Sequence, residues 1–343
     1  MPSSARVSWL CCLTSSRSNV TRTSAIAVVA GALGALLLVA TLRQSVLGVM
    51  VGAMLSPLPL AMVVFSLGAA YLPVAVVSGA VAMTVMTGSF PLAAVYLAVD
   101  AAPVAILSRM GLAAALEAGR PVSGAVVART VCLLTLVAFA ATVMTLMMMP
   151  AGEGGLEAVL RARLDQILPP LPAGTPGVSA TGEMDFATAR AEMVRSMAGL
   201  IPGIAAWDWC LRAILSAGLG QMMLVKMNLA MWPTPAYRGF EAPQWFFALF
   251  GVSALAAAVL KDDAGFIAGN AAAILGLPLV LQGLAVVHCA AARLKYRLAW
   301  LAGFYLLALL TAGISSVMLV GLGVMDNFLQ IRARYLAPRT GGE

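Results

Sequence analysis

SVLGVMVGAMLSPLPLAMVVFSLGAAYLPVAVVSGAVAMTVMTGSFPLAAVYLAVDAAPVAIL, residues 45–107, holds a single charged side chain, Asp100. As one helix it would be about 95 Å long, roughly three times the hydrocarbon thickness of a bilayer. It must therefore fold into several spans. Clusters of Gly, Pro and Ser divide it at 45–65, 67–86 and 90–107. An open irregular chain cannot satisfy its backbone in lipid, so the segments are helices.

The rest of the chain follows the same rule. Of 343 residues, 62% are hydrophobic and 10% charged, with mean hydropathy +0.96, against about 25% charged in soluble domains. That composition excludes a cytosolic enzyme, a disordered chain and a nucleic-acid-binding domain. Strands of alternating polarity, the mark of a membrane β-barrel, do not occur. Further apolar runs lie at 24–42, 126–149, 198–226, 245–260, 266–288 and 298–325. The expected fold is an all-α polytopic bundle of eight or nine spans: about five in 24–149 and about four in 198–325.

Residues 150–197 differ. Leu156, Val159, Leu160, Leu164 and Ile167 share one helical face, and Glu157 stands four residues before Arg161, the spacing of a helix ion pair. A Pro/Gly/Ala linker, 169–182, and a candidate cap at Asp185 follow. This insert between spans five and six reads as an amphipathic element on the membrane surface or a loop with two short helices.

Residues 1–23, with Arg6, Arg17 and Arg22, read as a basic cytoplasmic tail and 326–343 as a polar one. With the N-terminus inside, the inner loops hold Arg109, Arg120, Lys226, Arg238, Arg293, Lys295 and Arg297, and the outer breaks hold Arg43 and Lys261. That asymmetry, with the net charge of +7, fits a multi-pass protein of a bacterial inner membrane. Nine crossings would place Arg332, Arg334 and Arg339 outside, against the same rule, so either one segment does not cross or the last one turns back. Cys11, Cys12, Cys132, Cys210 and Cys289 have no zinc-type spacing.

Chemistry-bearing residues are few. The lone histidine, His288, stands at a span end, no catalytic constellation or phosphate loop exists, and no cofactor is implied. The protein reads as a non-enzyme. Asp100 carries the most weight, because an intramembrane carboxylate is costly and by default functional; it reads as a substrate or cation contact, or as a partner for backbone freed by Pro103. Ser56-Pro57-Leu58-Pro59 breaks the second span and frees carbonyls, and Gly276-Leu277-Pro278 interrupts the eighth. Paired breaks point to a transporter site. Ser56, Pro57, Pro59, Asp100, Asn270 and Gln282 are the candidate substrate contacts. Asp208 and Arg212, four apart and flanked by Trp207 and Trp209, read as an interfacial ion pair within an aromatic belt, or as a gate or anion contact through Arg212. Ala27, Gly31, Ala35, Gly48 and Gly52 make small-residue faces suited to a partner helix. Met144–Met149 reads as core or lipid-facing filler.

Pro57-Leu58-Pro59 with Gly68, Asn228, Pro243, Trp245, Asn270, Gln282-Gly283-Leu284, and Gly321-Leu322-Gly323 with Asp326 and Arg332 together resemble the YybS-like uncharacterised bacterial membrane proteins, a domain-of-unknown-function family, over residues 24–335. The sequence departs from that pattern at Leu67 and Gln330. The family in turn is distantly similar to the S components of energy-coupling-factor transporters. The resemblance implies a solute-binding or permease subunit whose partners are a transmembrane subunit and an ATPase, besides the lipid bilayer. The rival reading is a non-catalytic scaffold or regulator of envelope processes.

Overall fold

The computed structural model describes residues 5–42, 52–109, 122–150, 152, 154–167, 186–235 and 237–335, and all regular structure among them is helical. Linker 169–182, Asp185, Gly48 and the last eight residues lie outside the described residues. The helices are α1 (Ala5–Leu42), α2 (Ala53–Leu55), α3 (Leu58–Leu67), α4 (Leu72–Thr87), α5 (Phe90–Tyr96), a π-helical turn (Leu97–Ala101) and α6 (Ala102–Ile106). There follow α7 (Gly124–Met147), α8 (Gly155–Ile167), α9 (Phe186–Lys226), α10 (Gln244–Val259), α11 (Asp262–Ala291), α12 (Arg297–Leu310), α13 (Ala312–Leu329) and α14 (Ile331–Tyr335).

Six helical segments among the described residues are long and apolar enough to cross a bilayer: Thr21–Thr41, Ala69–Thr87, Phe90–Arg109, Gly124–Met147, Met197–Lys226 and Asp262–Ala291. Counting the bent pair α12–α13 as one span makes seven. The described residues thus hold six or seven candidates for the expected eight or nine spans, and three of the segments drawn from the sequence depart from a straight crossing. The second segment is broken at Pro57 into two short helices. The seventh, α10, has 16 residues and reaches about 24 Å, short of a bilayer of about 30 Å. The last bends by 120° between α12 and α13. The helix α9 runs from Phe186 through Pro202 to Lys226, and its membrane-crossing part begins at Met197.

Large apolar side chains cover the outside. Val85, Phe90, Leu309 and Leu310 are each at least three-quarters exposed. In water each would forfeit about 1.5–3 kcal/mol of burial; against acyl chains the cost vanishes. A shallow groove of about 340 Å³ between α4 and α5, lined by Val81, Val85, Phe90 and Leu97, is part of this apolar surface.

The chain divides into two compact units, Met1–Leu134 with Trp209–Ala236, and Thr135–Asp208 with Tyr237–Glu343. In the first, α1 lies along α4. Ala27 and Ala35 are fully buried there, and a Cβ at Gly31 would stand 1.9 Å from the Ala75 carbonyl oxygen. Gly52 meets the Leu37 carbonyl in the same way, at 2.7 Å. Of the small residues expected to dock a partner, Ala27, Gly31, Ala35 and Gly52 are packed within the chain itself. Gly79 opens the space in which the buried Tyr96 ring reaches the Gly31 carbonyl.

In the second unit α11 is the central helix, flanked by α10 and α13. Glycines permit the contact with α13: a Cβ at Gly283 or Gly323 would fall 2.2 Å from the carbonyl of Leu319 or Leu279. Asp263 accepts the Leu156 amide N–H at 2.7 Å and so ties down the first turn of α8. The expected Glu157–Arg161 pair forms at 2.8 Å on the surface of that helix, where it contributes about 0.2–0.5 kcal/mol.

Candidate functional site

Proline arithmetic explains the site in the first unit. A proline removes the donor for the carbonyl four residues earlier, so Pro57 leaves Ala53 without its helical partner. Both Pro57 and Pro59 fall at the start of α3, where a missing N–H costs that helix nothing; the loss is felt on the α2 side. A buried carbonyl must still be paired. Arg212 Nη1 donates to the Ala53 carbonyl at 3.2 Å, and Ser216 Oγ to the Met54 carbonyl at 2.9 Å.

The same logic holds around Asp100. In the turn Leu97–Ala101 the Ala102 N–H bonds the Leu97 carbonyl, five residues back. In that register the next carbonyl, Ala98, would need the N–H of residue 103, which is proline. Trp209 Nε1 supplies the bond instead, at 3.0 Å. Trp209, Arg212 and Ser216 lie three and four apart on α9. One helix face thus donates to two interrupted helices.

Asp100 sits inside this arrangement with no exposed surface. Its Oδ1 accepts the hydroxyl of Ser56, also fully buried, at 2.9 Å. Its Oδ2 has no hydrogen-bond partner. The charge of Arg212, itself 7% exposed, acts on it. The structure therefore brings Ser56, Pro57, Pro59, Asp100 and Arg212 together. A pairing of Arg212 with Asp208 alone understates its role: the guanidinium serves the break and faces Asp100. Trp209, drawn from the sequence as an interfacial ring, closes a backbone gap in the bundle.

Asn270 and Gln282 belong to the second unit and have structural employment there. Pro202 lies inside α9 and removes one backbone donor there, and the Asn270 amide bonds the backbone beside it. Gly203 N–H donates to Asn270 Oδ1 at 2.9 Å, and Asn270 Nδ2 donates to the Gly199 carbonyl at 3.2 Å. One side chain thus contacts both Gly203 and Gly199, one turn apart on α9. Its Nδ2 also donates to the Phe266 carbonyl. Trp207 Nε1 donates to the Ala273 carbonyl at 2.7 Å, near Pro278.

Gln282 is fully buried; its Oε1 accepts the Ala242 N–H at 2.9 Å and its Nε2 donates to Asp326 Oδ2 at 3.3 Å. Asp326 also holds Arg332, through the backbone N–H at 3.1 Å and a guanidinium contact at 2.7 Å. The left-handed Gln330, φ 51°, reverses the chain between them. Arg332 Nη1 then donates to the Arg238 carbonyl. Both amides expected to contact substrate thus make hydrogen bonds within the fold. The Asp326–Arg332 pair, absent from the sequence-derived site, carries its own signal in the resemblance motif.

At the same end, Tyr237 donates to the Leu281 carbonyl and its ring meets His288 edge-on at 5.7 Å. Burial pushes the Tyr237 phenol above its ordinary range. His288 shares a 2.8 Å hydrogen bond with Tyr305. Among the described residues, no three His, Cys, Asp or Glu side chains gather as a metal site would require.

Neither a search of curated proteins nor a search of solved structures found a match to the chain. The sequence model of one family, described as "Predicted membrane protein (DUF2232)", matches residues 32–327. That stretch covers most of the chain and contains the Asp100 site, Asn270, Gln282 and Asp326. The protein belongs to this family of membrane proteins of unknown function.

Proposed function

We propose that the protein is a solute-binding or permease subunit of a transporter in a bacterial inner membrane, with its N-terminus on the cytoplasmic side and no enzymatic activity of its own. One observation carries the reading. Asp100 is sealed within the apolar helices of one unit with a carboxylate oxygen left without a partner. Intramembrane carboxylates are retained for pathways and ligands, and interrupted helices border transporter sites. Asp100 is the ligand contact, Ser56 orients it, Pro57 and Pro59 shape the break, and Arg212 balances the charge. The narrower resemblance to YybS-like proteins, and through them to energy-coupling-factor S components, supports the same role. It would supply a transmembrane partner and an ATPase as the energy source. The distribution of Lys and Arg between alternate loops supports the orientation.

Two kinds of change separate this role from that of an envelope scaffold. Asp100→Asn and Pro59→Ala remove the site and leave the surfaces alone; deletion of 150–197 does the reverse. The transport reading predicts that the two substitutions abolish function in the host with complex formation intact. Function that survives both substitutions and fails on the deletion overturns it in favour of the scaffold.

A further inference from the structure

We propose that Asp100 is a proton-binding site, at which the first unit takes up and releases one proton with Arg212 as the counter-charge. The carboxyl has no exposed surface, one oxygen engaged by Ser56 and the other bare. A ligand that reaches Oδ2 in this closed arrangement has to be very small. A metal cation would need several oxygen ligands. The nearby carbonyls of Ala53, Met54 and Ala98 already accept from Arg212, Ser216 and Trp209, and the charge of Arg212 repels a cation. A proton needs only the bare oxygen.

Among the described residues, the charged and titratable groups facing Asp100 are few. They are Tyr96 on its own helix and Arg212 from α9, with the Ser56 hydroxyl at the break. The segments of α1, α3 and α4 at 24–42, 58–67 and 72–87 contain no Asp, Glu, Lys, Arg or His. In the part of α7 within this unit, Arg129 is exposed. The step balances simply. A proton from water adds to Oδ2 and gives the neutral acid; on release it returns to water, and the guanidinium meets the carboxylate charge. No other bond forms or breaks. Arg212 also holds the Ala53 carbonyl at the Pro57 break, so a change of charge on Asp100 alters the pull on that contact. The π-helical turn and the Pro57 break both border the carboxyl, and such irregular backbone gathers at functional sites.

The coupling of this proton to a solute rests on the transport reading above, but the binding of the proton does not, and the experiment isolates it. The full-length protein in lipid nanodiscs, without partner or solute, is titrated from acid to mildly alkaline pH and followed by infrared difference spectroscopy. The expected result is a carbonyl band of a protonated carboxyl that disappears reversibly as pH rises, is lost in Asp100→Asn and changes frequency in Ser56→Ala. In Arg212→Gln its midpoint moves to higher pH by about one unit or more, a tenfold change in proton affinity. Asn can still accept the Ser56 hydroxyl; should that variant fail to fold, the Ser56→Ala frequency decides. A spectrum with no pH-dependent carboxyl band, or a band indifferent to both the Asp100 and the Ser56 substitutions, overturns the proposal. Proton binding without solute binding would remove the transport reading alone.

Discussion

The Arg212 guanidinium donates to the Ala53 carbonyl at 3.2 Å across 159 residues of sequence, and that carbonyl is the one Pro57 deprives of its helical donor. The bond tests its own logic. Arg212→Leu leaves a buried carbonyl short of a charged donor and should cost about 1.5–3 kcal/mol. Pro57→Ala returns a backbone N–H to Ala53. In a double-mutant cycle read by thermal unfolding in detergent, the Arg212 substitution should cost less in the Pro57→Ala background. Strict additivity would contradict the assignment.

Trp209 makes an independent case. Trp209→Phe keeps the ring and removes the donor to Ala98, for an expected loss of about 1 kcal/mol. Pro103→Ala supplies a new N–H in the register of the turn and should offset most of that loss. Equal destabilisation by Trp209→Phe with and without Pro103 would show that the indole contributes by packing alone.

Asn270 should be less replaceable than a solvent-facing amide. Asn270→Leu keeps the size and strips the Gly203 N–H and the Gly199 carbonyl of their side-chain partner beside Pro202. Unpaired buried groups cost about 1–3 kcal/mol each. Asn270→Asp keeps the acceptor for Gly203 and loses the donor to Gly199. Hydrogen exchange at Gly203 should accelerate strongly in the Leu variant. Unchanged protection there would contradict the bridge.

Asp326 and Arg332 should behave as a buried pair, their side chains being 3% and 15% exposed. Asp326→Ala alone should destabilise by about 3–5 kcal/mol, because it strands the guanidinium. Asp326→Leu combined with Arg332→Met should restore most of the stability. Equal loss in the single and double variants, measured as thermal unfolding, would show that the pair contributes little beyond packing.

The apolar runs announced lipid, helices and most segment boundaries, because each span is a local matter of length and hydropathy. Asp100 and the Ser56–Pro59 break were legible for the same reason: an acid and a proline inside an apolar run stand out without any knowledge of the fold. What one sequence does not reveal is which donor satisfies which orphan carbonyl. Trp209 and Arg212 looked like an aromatic belt and an ion pair because their partners, Ala98 and Ala53, lie more than a hundred residues away. Asn270 looked like a ligand contact because any polar side chain in an apolar span does so until its neighbours are known. The stripe Ala27, Gly31 and Ala35 was visible as a close-packing face, but its partner was α4 of the same chain. The basic tail signalled a segment that does not cross or turns back, but hydropathy runs evenly through 298–325 and did not locate the sharp bend between α12 and α13.

Native mass spectrometry of the full-length protein, released from membranes with its neighbours and lipids retained, tests the central reading most directly. The account predicts a wild-type species carrying a small-molecule ligand or bound to a transmembrane partner and an ATPase, with the ligand lost in Asp100→Asn. A wild-type protein recovered alone, with neither ligand nor such partners, would contradict it.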